Sequence, residues 1–223
     1  DLPANERYEW RIAATDRLGN AVASESRQLI VDTLPPCAAV LHKPGVDSFL
    51  NSRAVHCAWS PARDSLAGVE SEFIEIDTAP DFAHASSSAA SAVFDTDLCE
   101  DGVYYWRVRS VDAAGNATIS DTRQFTIDNR CSVALLLPAD GAQYEVTDTP
   151  PAFVWQNDGA DTCWWEWATN STFESGAMLA AVDSVTWAAP MLPGVYYWRV
   201  SNADAAGNRA ATGTRLFRIM EED

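Results

Sequence analysis

The sequence predicts an all-β protein made of tandem two-sheet sandwiches, and two observations support this prediction. First, one composite pattern occurs three times along the 223 residues. Second, apolar and polar residues alternate with a period of two within each copy, which is typical of strands that bury one face. Because internal repeats define the architecture of a chain, the domain boundaries are drawn from this pattern.

Each copy of the repeat opens with an aromatic strand and continues through a tight turn. The segment Tyr8–Ile12 recurs at 104–108 and 196–200, at spacings of 96 and 92 residues. An Asp-x-x-Gly-Asn turn follows each strand, at Asp16–Asn20, Asp112–Asn116 and Asp204–Asn208. Glycine and asparagine tolerate the positive φ that such turns require. A second alternating segment follows each turn, so that each copy ends in a predicted β-hairpin.

The segments upstream of the hairpin also align between copies. Cys57–Trp59 corresponds to Phe153–Trp155, and residues 72–76 correspond to 163–167. About seven short strands for each 90-odd residues, separated by turn signals, are typical of a two-sheet sandwich. No helical run with capping residues interrupts this pattern.

The pattern Gly-Val-Tyr-Tyr-Trp-Arg-Val, followed by Asp-Ala-Ala-Gly-Asn and Phe-x-Ile-Asp, resembles the last strands of fibronectin type III-like and bacterial Ig-like repeats of large surface proteins. The resemblance covers almost the whole chain. It implies tandem Ig-like or fibronectin type III-like β-sandwiches arranged end to end. By the same resemblance, Tyr8, Tyr104 and Tyr196 are expected to form tyrosine corners.

The repeat divides the chain into three segments. Residues 1–33 are predicted to be the C-terminal hairpin of an incomplete preceding Ig-like repeat, and residues 34–128 and 129–223 to be complete sandwiches. A lone hairpin is only marginally stable in water. The remaining strands of the first segment are therefore expected upstream in a longer parent chain or in a neighbouring molecule.

The composition excludes several classes of function. The net charge of −17 argues against nucleic acid as a partner, since a phosphate backbone demands a basic face. No run approaches the roughly 18 apolar residues that span a bilayer, so no membrane insertion is predicted. A hydrophobic content of 47% is sufficient for packed globular domains.

Five cysteines map onto the repeat in an informative way. Cys131 and Cys163 fall at the same end of one sandwich and are predicted to form a disulfide, as are Cys57 and Cys99. The alternative for Cys57 and Cys99 is that both are small buried apolar residues. Cys37 lacks a matching cysteine and is expected to be free or to form an intermolecular bond. Disulfides fit an extracellular or cell-surface location.

Oxygen-bearing side chains are expected to meet where one repeat follows another. The predicted sets are Asp32, Asp112 and Asn116 at the first junction, and Asp128, Asp204 and Asn208 at the second. Calcium prefers oxygen ligands of this kind, and it is the only cofactor that the sequence suggests. The favoured alternative is that each aspartate caps its own turn by binding backbone amides.

Aromatic residues provide a second candidate site. Trp164 and Tyr197 are predicted to face outward on adjacent strands, as are their counterparts Phe73 and Tyr105. They would form either an exposed platform for a glycan or a surface protein, or a cross-strand pair that stiffens the sheet. The same face is predicted to carry two ion pairs, Glu75 with Arg107 and Glu166 with Arg199.

Catalytic signatures are missing from the sequence. The three histidines, His42, His56 and His84, occupy non-equivalent repeat positions, and His56 is expected to face solvent. No nucleophile elbow, metal-binding histidine pair or phosphate loop occurs, so the chain is predicted not to be an enzyme. Asn116 and Asn170 begin sequons in predicted turns, where N-glycosylation is a further hypothesis.

The leading functional hypothesis is a structural repeat segment, such as a stalk, spacer or filament, in a large extracellular protein. Its partners would be further copies of the same repeat. One alternative is an adhesin that binds a carbohydrate or protein through the outward aromatic residues. A second alternative is a set of accessory domains in a secreted enzyme.

Overall fold

The computed structural model describes residues 3–174, 177–181 and 183–222. Every regular secondary-structure element within them is a β-strand. The all-β prediction is confirmed. Among these residues no helix is long and apolar enough to cross a membrane. The chain divides into two compact units. The first runs to Ser48 and resumes from Arg53 to Ile127, and the second comprises Phe49–Ser52 and the residues from Asp128 onward.

The N-terminal segment forms an antiparallel ribbon. Its strands are β1 (Glu6–Trp10), β2 (Ala13–Thr15), β3 (Ala21–Ala23) and β4 (Arg27–Val31). Strand β1 pairs with β4, and β2 pairs with β3. The Trp10 side chain is 45% exposed, whereas Trp106 and Trp198 at the equivalent positions are fully buried. The two-residue alternation around Trp10, Trp106 and Trp198 predicts that all three indoles lie between paired sheets. This prediction is wrong for Trp10, because no second sheet covers this ribbon among the described residues.

The first complete sandwich contains nine strands. They are β5 (Val40–Lys43), β6 (Ser48–Leu50), β7 (Ala54–Ser60), β8 (Val69–Asp77), β9 (Ser86–Ala89), β10 (Val93–Asp97), β11 (Gly102–Asp112), β12 (Ala117–Ile119) and β13 (Arg123–Ile127). One sheet has the order β10-β7-β5, and the other has the order β6-β13-β11-β8-β9 with β12 paired to β11. Strands β9 and β10 are therefore the edges of opposite sheets.

The second sandwich repeats this arrangement strand for strand. Its elements are β14 (Ser132–Leu137), β15 (Ala142–Glu145), β16 (Ala152–Asp158), β17 (Thr162–Ala168), β18 (Ala177–Ala181), β19 (Ser184–Thr186), β20 (Gly194–Ala203), β21 (Arg209–Ala211) and β22 (Arg215–Met220). The sheet orders are β14-β16-β19 and β15-β22-β20-β17-β18, with β21 paired to β20. The identical topology shows that the sequence repeat is a structural repeat.

Burial along the two longest strands follows the predicted period of two. In β11 the buried residues alternate with half-buried ones from Tyr104 to Asp112, and β20 shows the same alternation from Tyr196 to Asn202. The inward side chains of both strands face the opposite sheet, as expected for a sandwich. Alternation in the sequence therefore located the buried face of both strands.

The two cores are filled differently. In the second sandwich, Phe153 packs against Trp165 with ring centroids 4.8 Å apart, and against Trp198 at 5.0 Å. Cys57 occupies the position of Phe153 in the first sandwich, and Ile74 occupies that of Trp165. Aromatic pairs in these tilted geometries contribute about 0.5–1.5 kcal/mol beyond the area that they bury. The second core is consequently the more aromatic of the two.

Candidate functional site

The tyrosines that open each hairpin bind the backbone just upstream. The Tyr104 hydroxyl donates a hydrogen bond of 2.9 Å to the Glu100 carbonyl. Tyr196 donates to Leu192 at 2.9 Å, and Tyr8 donates to Pro3 at 2.7 Å. The tyrosine corners implied by the resemblance are confirmed. They fix the loop before each long strand, which is a structural role.

The aspartate of each Asp-x-x-Gly-Asn turn caps that turn. One carboxylate oxygen of Asp112 accepts the amide N–H groups of Ala114 and Asn116 at 2.9 and 2.8 Å. The other oxygen accepts the Asn116 side-chain amide at 2.9 Å. Asp204 makes the equivalent bonds to the backbone and side chain of Asn208 at 2.9 and 2.8 Å. The turn-capping interpretation is confirmed.

These hydrogen bonds keep the capping carboxylates ionised. Burial raises the pKa of Asp112 and of Asp204, but the hydrogen bonds from the turn asparagines and backbone amides lower it by more. The pKa of each carboxyl therefore lies below its ordinary value of 3.8. Asp112 is completely buried, so its negative charge depends on these donors.

The turn asparagines also bind the strand end that precedes each sandwich. The Asn116 side-chain amide donates to the Asp32 carbonyl at 3.1 Å, and Asn208 donates to the Asp128 carbonyl at 2.7 Å. Asn116 thus uses its amide nitrogen for Asp32 and for Asp112. A glycan on that nitrogen would replace one of its two N–H donors and so remove one of these hydrogen bonds, which means that the geometry opposes glycosylation of Asn116. Glycosylation of Asn170 stays a prediction.

An acidic trio lies between the N-terminal ribbon and the first sandwich. Carboxylate oxygens of Asp32, Asp64 and Asp112 lie within 4.8 Å of one another. The repeat pattern did not predict Asp64, which belongs to a loop before β8 that is longer than its counterpart before β17. No equivalent trio forms around Asp128 and Asp204 in the part of the chain that the structure describes.

Backbone amides satisfy much of the charge in this trio. Asp64 accepts the amide N–H groups of residues 66, 67 and 68 at 2.9, 2.8 and 2.8 Å. These bonds, chiefly that from Gly68, lower the pKa of Asp64 below its ordinary value. Asp32 accepts the Ala67 amide at 3.1 Å through its side chain. Three carboxyl groups are therefore held close together, which favours a cation near them.

The outward aromatic residues do not form the predicted cross-strand pair. Trp164 lies opposite Ser201, whereas Tyr197 lies opposite Ala168. Four residues along a strand separate the two positions, a distance of about 13 Å. The pairing is wrong because the sequence located the face of each residue but not the register between β17 and β20. All four outward aromatic residues, including Phe73 and Tyr105, are half-buried.

Arginines occupy the centre of this face in both sandwiches. Arg199 binds Glu166 at 2.7 Å and lies over the Phe173 ring at 4.2 Å from its centroid. Arg107 binds Glu75 at 2.6 Å and lies 3.9 Å from the Phe82 centroid. The two predicted ion pairs are confirmed. Each arginine combines an ion pair with a cation–π contact, which makes this outer face a repeated structural element.

All five cysteines have free thiols, so neither predicted disulfide is present. Cys57 is fully buried in the core, whereas Cys99 is exposed on the loop before β11. Cys131 donates to the Asn202 side chain at 3.2 Å instead of bonding to Cys163. Cys37 is exposed, and its sulfur accepts the Arg63 amide at 3.0 Å.

The histidines lie on the surface of the first sandwich. His56 is exposed as predicted and lies 2.7 Å from Asp95 on the neighbouring strand. His42 lies 2.7 Å from the Ser60 hydroxyl, and both side chains are exposed. A serine and a histidine on an open strand surface lack the enclosure and the oriented base that activate a nucleophile.

No protein-family model matches the chain. An amylopullulanase of Thermoanaerobacter thermohydrosulfuricus is 33% identical over 133 residues, which is 56% of this chain and 8% of that protein. The match therefore spans less than a tenth of the relative's length.

Two solved structures of fibronectin-type modules match the chain with low sequence identity. The FN1–FN3 domains of chicken CNTN1 are 12% identical, with a TM-score of 0.38 over 98% of this chain and 80% of that one. The fibronectin(III)-like modules of Clostridium thermocellum CbhA are also 12% identical, with a TM-score of 0.38 over 82% of this chain and 94% of that one. The strand order within each unit defines the fold: both complete domains are fibronectin type III-like β-sandwiches.

Proposed function

We infer that this chain is a non-catalytic spacer segment of a larger extracellular protein. The observation that supports this role is that the polar residues recurring in each repeat bind other groups of the same chain. These residues are the corner tyrosines, the turn aspartates and asparagines, and the paired arginines and glutamates. Residues that recur for binding or catalysis would instead present free groups to a ligand. The repeat therefore preserves the sandwich and its junctions.

The N-terminal ribbon fits the same proposal. It matches the last hairpin of each sandwich, and its Trp10 occupies the position that is buried in both complete units. The remaining strands of this repeat, upstream in a longer parent chain, would cover this indole and stabilise the ribbon. The partners of the segment would then be additional repeats of the same kind.

A secreted enzyme is the setting that the comparisons favour. The amylopullulanase that resembles this chain is more than ten times longer than the matched region. Fibronectin type III-like domains in such a protein would hold other domains apart without taking part in the reaction. This setting also supports the extracellular location. The adhesin alternative has less support, because Trp164 and Tyr197 do not form one continuous aromatic surface. The ion pair of Arg199 with Glu166 lies between them.

Assays of the purified chain test this function. It should neither hydrolyse pullulan or amylose nor be retained on insoluble polysaccharide. Turnover that survives repeated purification would contradict the non-catalytic role. Retention that is lost in Trp164→Ala, but kept in Leu136→Ala, which shortens an exposed apolar side chain on the other sheet, would favour the adhesin instead.

Calcium binding at the acidic trio is a second candidate role. Three carboxylates that share a region of 4.8 Å repel one another unless a cation or a proton is present. Calcium takes six to eight oxygen ligands, and carboxylates of this kind contribute several of them. A bound ion would fasten the N-terminal ribbon to the first sandwich.

The calcium role is tested by thermal unfolding with calcium or with a chelator. Calcium should raise the melting temperature of the wild type, and Asp64→Asn should remove that rise while keeping an oxygen for the amides. Asp204→Asn alters the second-sandwich counterpart of Asp112, where no trio forms among the described residues, and should leave the rise unchanged. Equal melting temperatures with and without calcium would contradict this role.

A further inference from the structure

The first sandwich contains an open cleft between the edge strands β9 and β10. This edge cleft has a volume of about 400 Å³. Its apolar lining comes from both sheets and comprises Ile74, Ile76, Phe94, Leu98 and Tyr104. Ligand sites in proteins commonly have volumes of about 300–1,000 Å³ and a mainly apolar lining. The edge cleft has the dimensions of such a site for a small compound.

The cleft exists because the first sandwich carries smaller side chains at three positions where the second carries tryptophans. The pairs of equivalent positions, first sandwich before second, are Ile74 and Trp165, Ile76 and Trp167, and Thr96 and Trp187. Trp187 is only 3% exposed, and its ring lies 4.5 Å from that of Trp167 and 5.2 Å from that of Tyr196. The second sandwich thus shows that this position between the sheets accommodates an indole.

Polar residues surround the opening of the cleft. Its lining includes Asp77, Asp97 and His84, together with serine and threonine side chains, and contains no lysine or arginine among the described residues. Both carboxylate oxygens of Asp77 accept backbone amides, from Ala79 at 3.1 Å and His84 at 2.9 Å. Asp77 is a buried member of the cleft lining, and although burial raises the pKa of its carboxyl, these donors lower it. The protein as a whole carries a charge of −17, which adds to the negative potential.

We propose that the edge cleft binds a small cationic aromatic compound. The ring takes the place between the sheets that Trp187 takes in the second sandwich, and the protonated amine lies at the acidic opening. Burial of the ring provides most of the affinity, since apolar area removed from water is the main favourable contribution. The aspartates select the positive charge, because an anionic ring compound would be repelled from the opening.

Three indole compounds test this proposal on the full chain. Tryptamine carries a positive charge, indole is neutral and indole-3-acetate is negative. Binding is followed through the isoleucine methyl signals in NMR spectra, where Ile74 and Ile76 report from the lining of the cleft. Tryptamine should shift both signals saturably, with a dissociation constant at least tenfold lower than that of indole-3-acetate. Added salt should reduce this preference.

Three variants and one control separate the apolar from the electrostatic contribution to tryptamine binding. Thr96→Trp should fill the cleft as Trp187 fills its counterpart, and should weaken tryptamine binding at least tenfold. Ser88→Leu narrows the cleft from the opposite edge strand and serves the same purpose if Thr96→Trp does not fold. Asp97→Asn should weaken tryptamine binding but leave indole binding within twofold. Asp121→Asn removes an exposed charge outside the cleft lining and is the matched control.

Each outcome decides the proposal. Saturable shifts at Ile74 and Ile76 that disappear in the filled variants support it. The proposal is overturned if no compound produces saturable shifts, or if a folded Thr96→Trp or Ser88→Leu protein binds tryptamine as the wild type does. Equal binding of the three compounds would overturn the selection of a cation.

Discussion

Thr96 in the first sandwich occupies the strand position that Trp187 occupies in the second. Thr96 is paired with Val55 on β7, and the Trp187 amide donates at 3.0 Å to the carbonyl of Pro151, the counterpart of Val55. One position of the same fold thus leaves an open cleft in one domain and holds a buried indole in the other.

Loss of this indole should destabilise the second sandwich. Trp187→Thr removes a side chain that contacts Phe153, Trp167 and Tyr196, and we expect a loss of about 3–5 kcal/mol in the free energy of unfolding. Denaturant unfolding measures this loss. Trp164→Thr is the control, since Trp164 is half-buried on the outer face and its loss should cost about 1 kcal/mol. Equal losses in the two variants would mean that Trp187 does not fill a core.

The tyrosine corners should contribute to stability through their hydroxyl groups. Tyr104→Phe and Tyr196→Phe each remove one hydrogen bond to a backbone carbonyl, which should lower the free energy of unfolding by about 0.5–1.5 kcal/mol. Tyr105→Phe and Tyr197→Phe remove a hydroxyl from the neighbouring outward position. The outward variants should stay within about 0.5 kcal/mol of the wild type, as surface substitutions commonly do. A larger loss in them than in the corner variants would contradict the assigned roles.

Acid should weaken the second sandwich partly through Asp204. Burial raises the pKa of this carboxyl, but the bonds from Asn208 and nearby amides lower it by more, so the folded-state pKa lies below 3.8. Protons therefore bind the unfolded chain more tightly than the folded one. The contribution of Asp204 is complete above the unfolded-state pKa and is lost as the pH falls through the folded-state pKa.

Melting temperatures between pH 7 and pH 2.5 test this pH dependence. Asp204→Ala should be less stable than the wild type at pH 7 and should lose less further stability on acidification. Asp161→Ala removes an exposed carboxylate and should follow the wild-type curve. If the melting temperature of Asp204→Ala fell with pH in parallel with that of the wild type, the turn carboxylate would not be the cause of the acid sensitivity.

The five thiols should differ in reactivity. Burial, and then the nearby charge of Asp95, raises the pKa of Cys57 to about 12, so this thiol should resist alkylation at pH 8. Cys37 and Cys99 are exposed and should react first. Mass spectrometry after timed alkylation measures the order, and denaturation before alkylation should expose all five thiols. Fewer than five alkylated cysteines under denaturing, non-reducing conditions would show that the protein contains a disulfide.

Local patterns predicted the fold well because burial in a strand depends on a period of two. The sequence around Trp106 and Trp198 located two buried faces, and the repeated Asp-x-x-Gly-Asn motif located the capped turns. The same pattern around Trp10 did not predict its exposure, since burial also requires an opposing sheet. Pattern alone cannot supply that second layer.

Features that depend on register or on loop length were harder to predict. The separation of Trp164 from Tyr197 follows from the register of two strands, which no single segment determines. Asp64 was missed because it lies in a loop outside the aligned repeat. The edge cleft depends on volumes contributed by Ile74 and Thr96, which are far apart in the sequence and become neighbours only when the two sheets pack.

The central claim is that the chain contains two fibronectin type III-like cores and that each core buries its own tryptophan. The exchange of indole N–H protons with solvent tests this claim most directly. In NMR spectra of the labelled chain, the indole protons of Trp106 and Trp198 should exchange slowly, whereas that of Trp10 should exchange rapidly. If Trp106 and Trp198 exchanged as rapidly as Trp10, the two-sandwich structure would be contradicted.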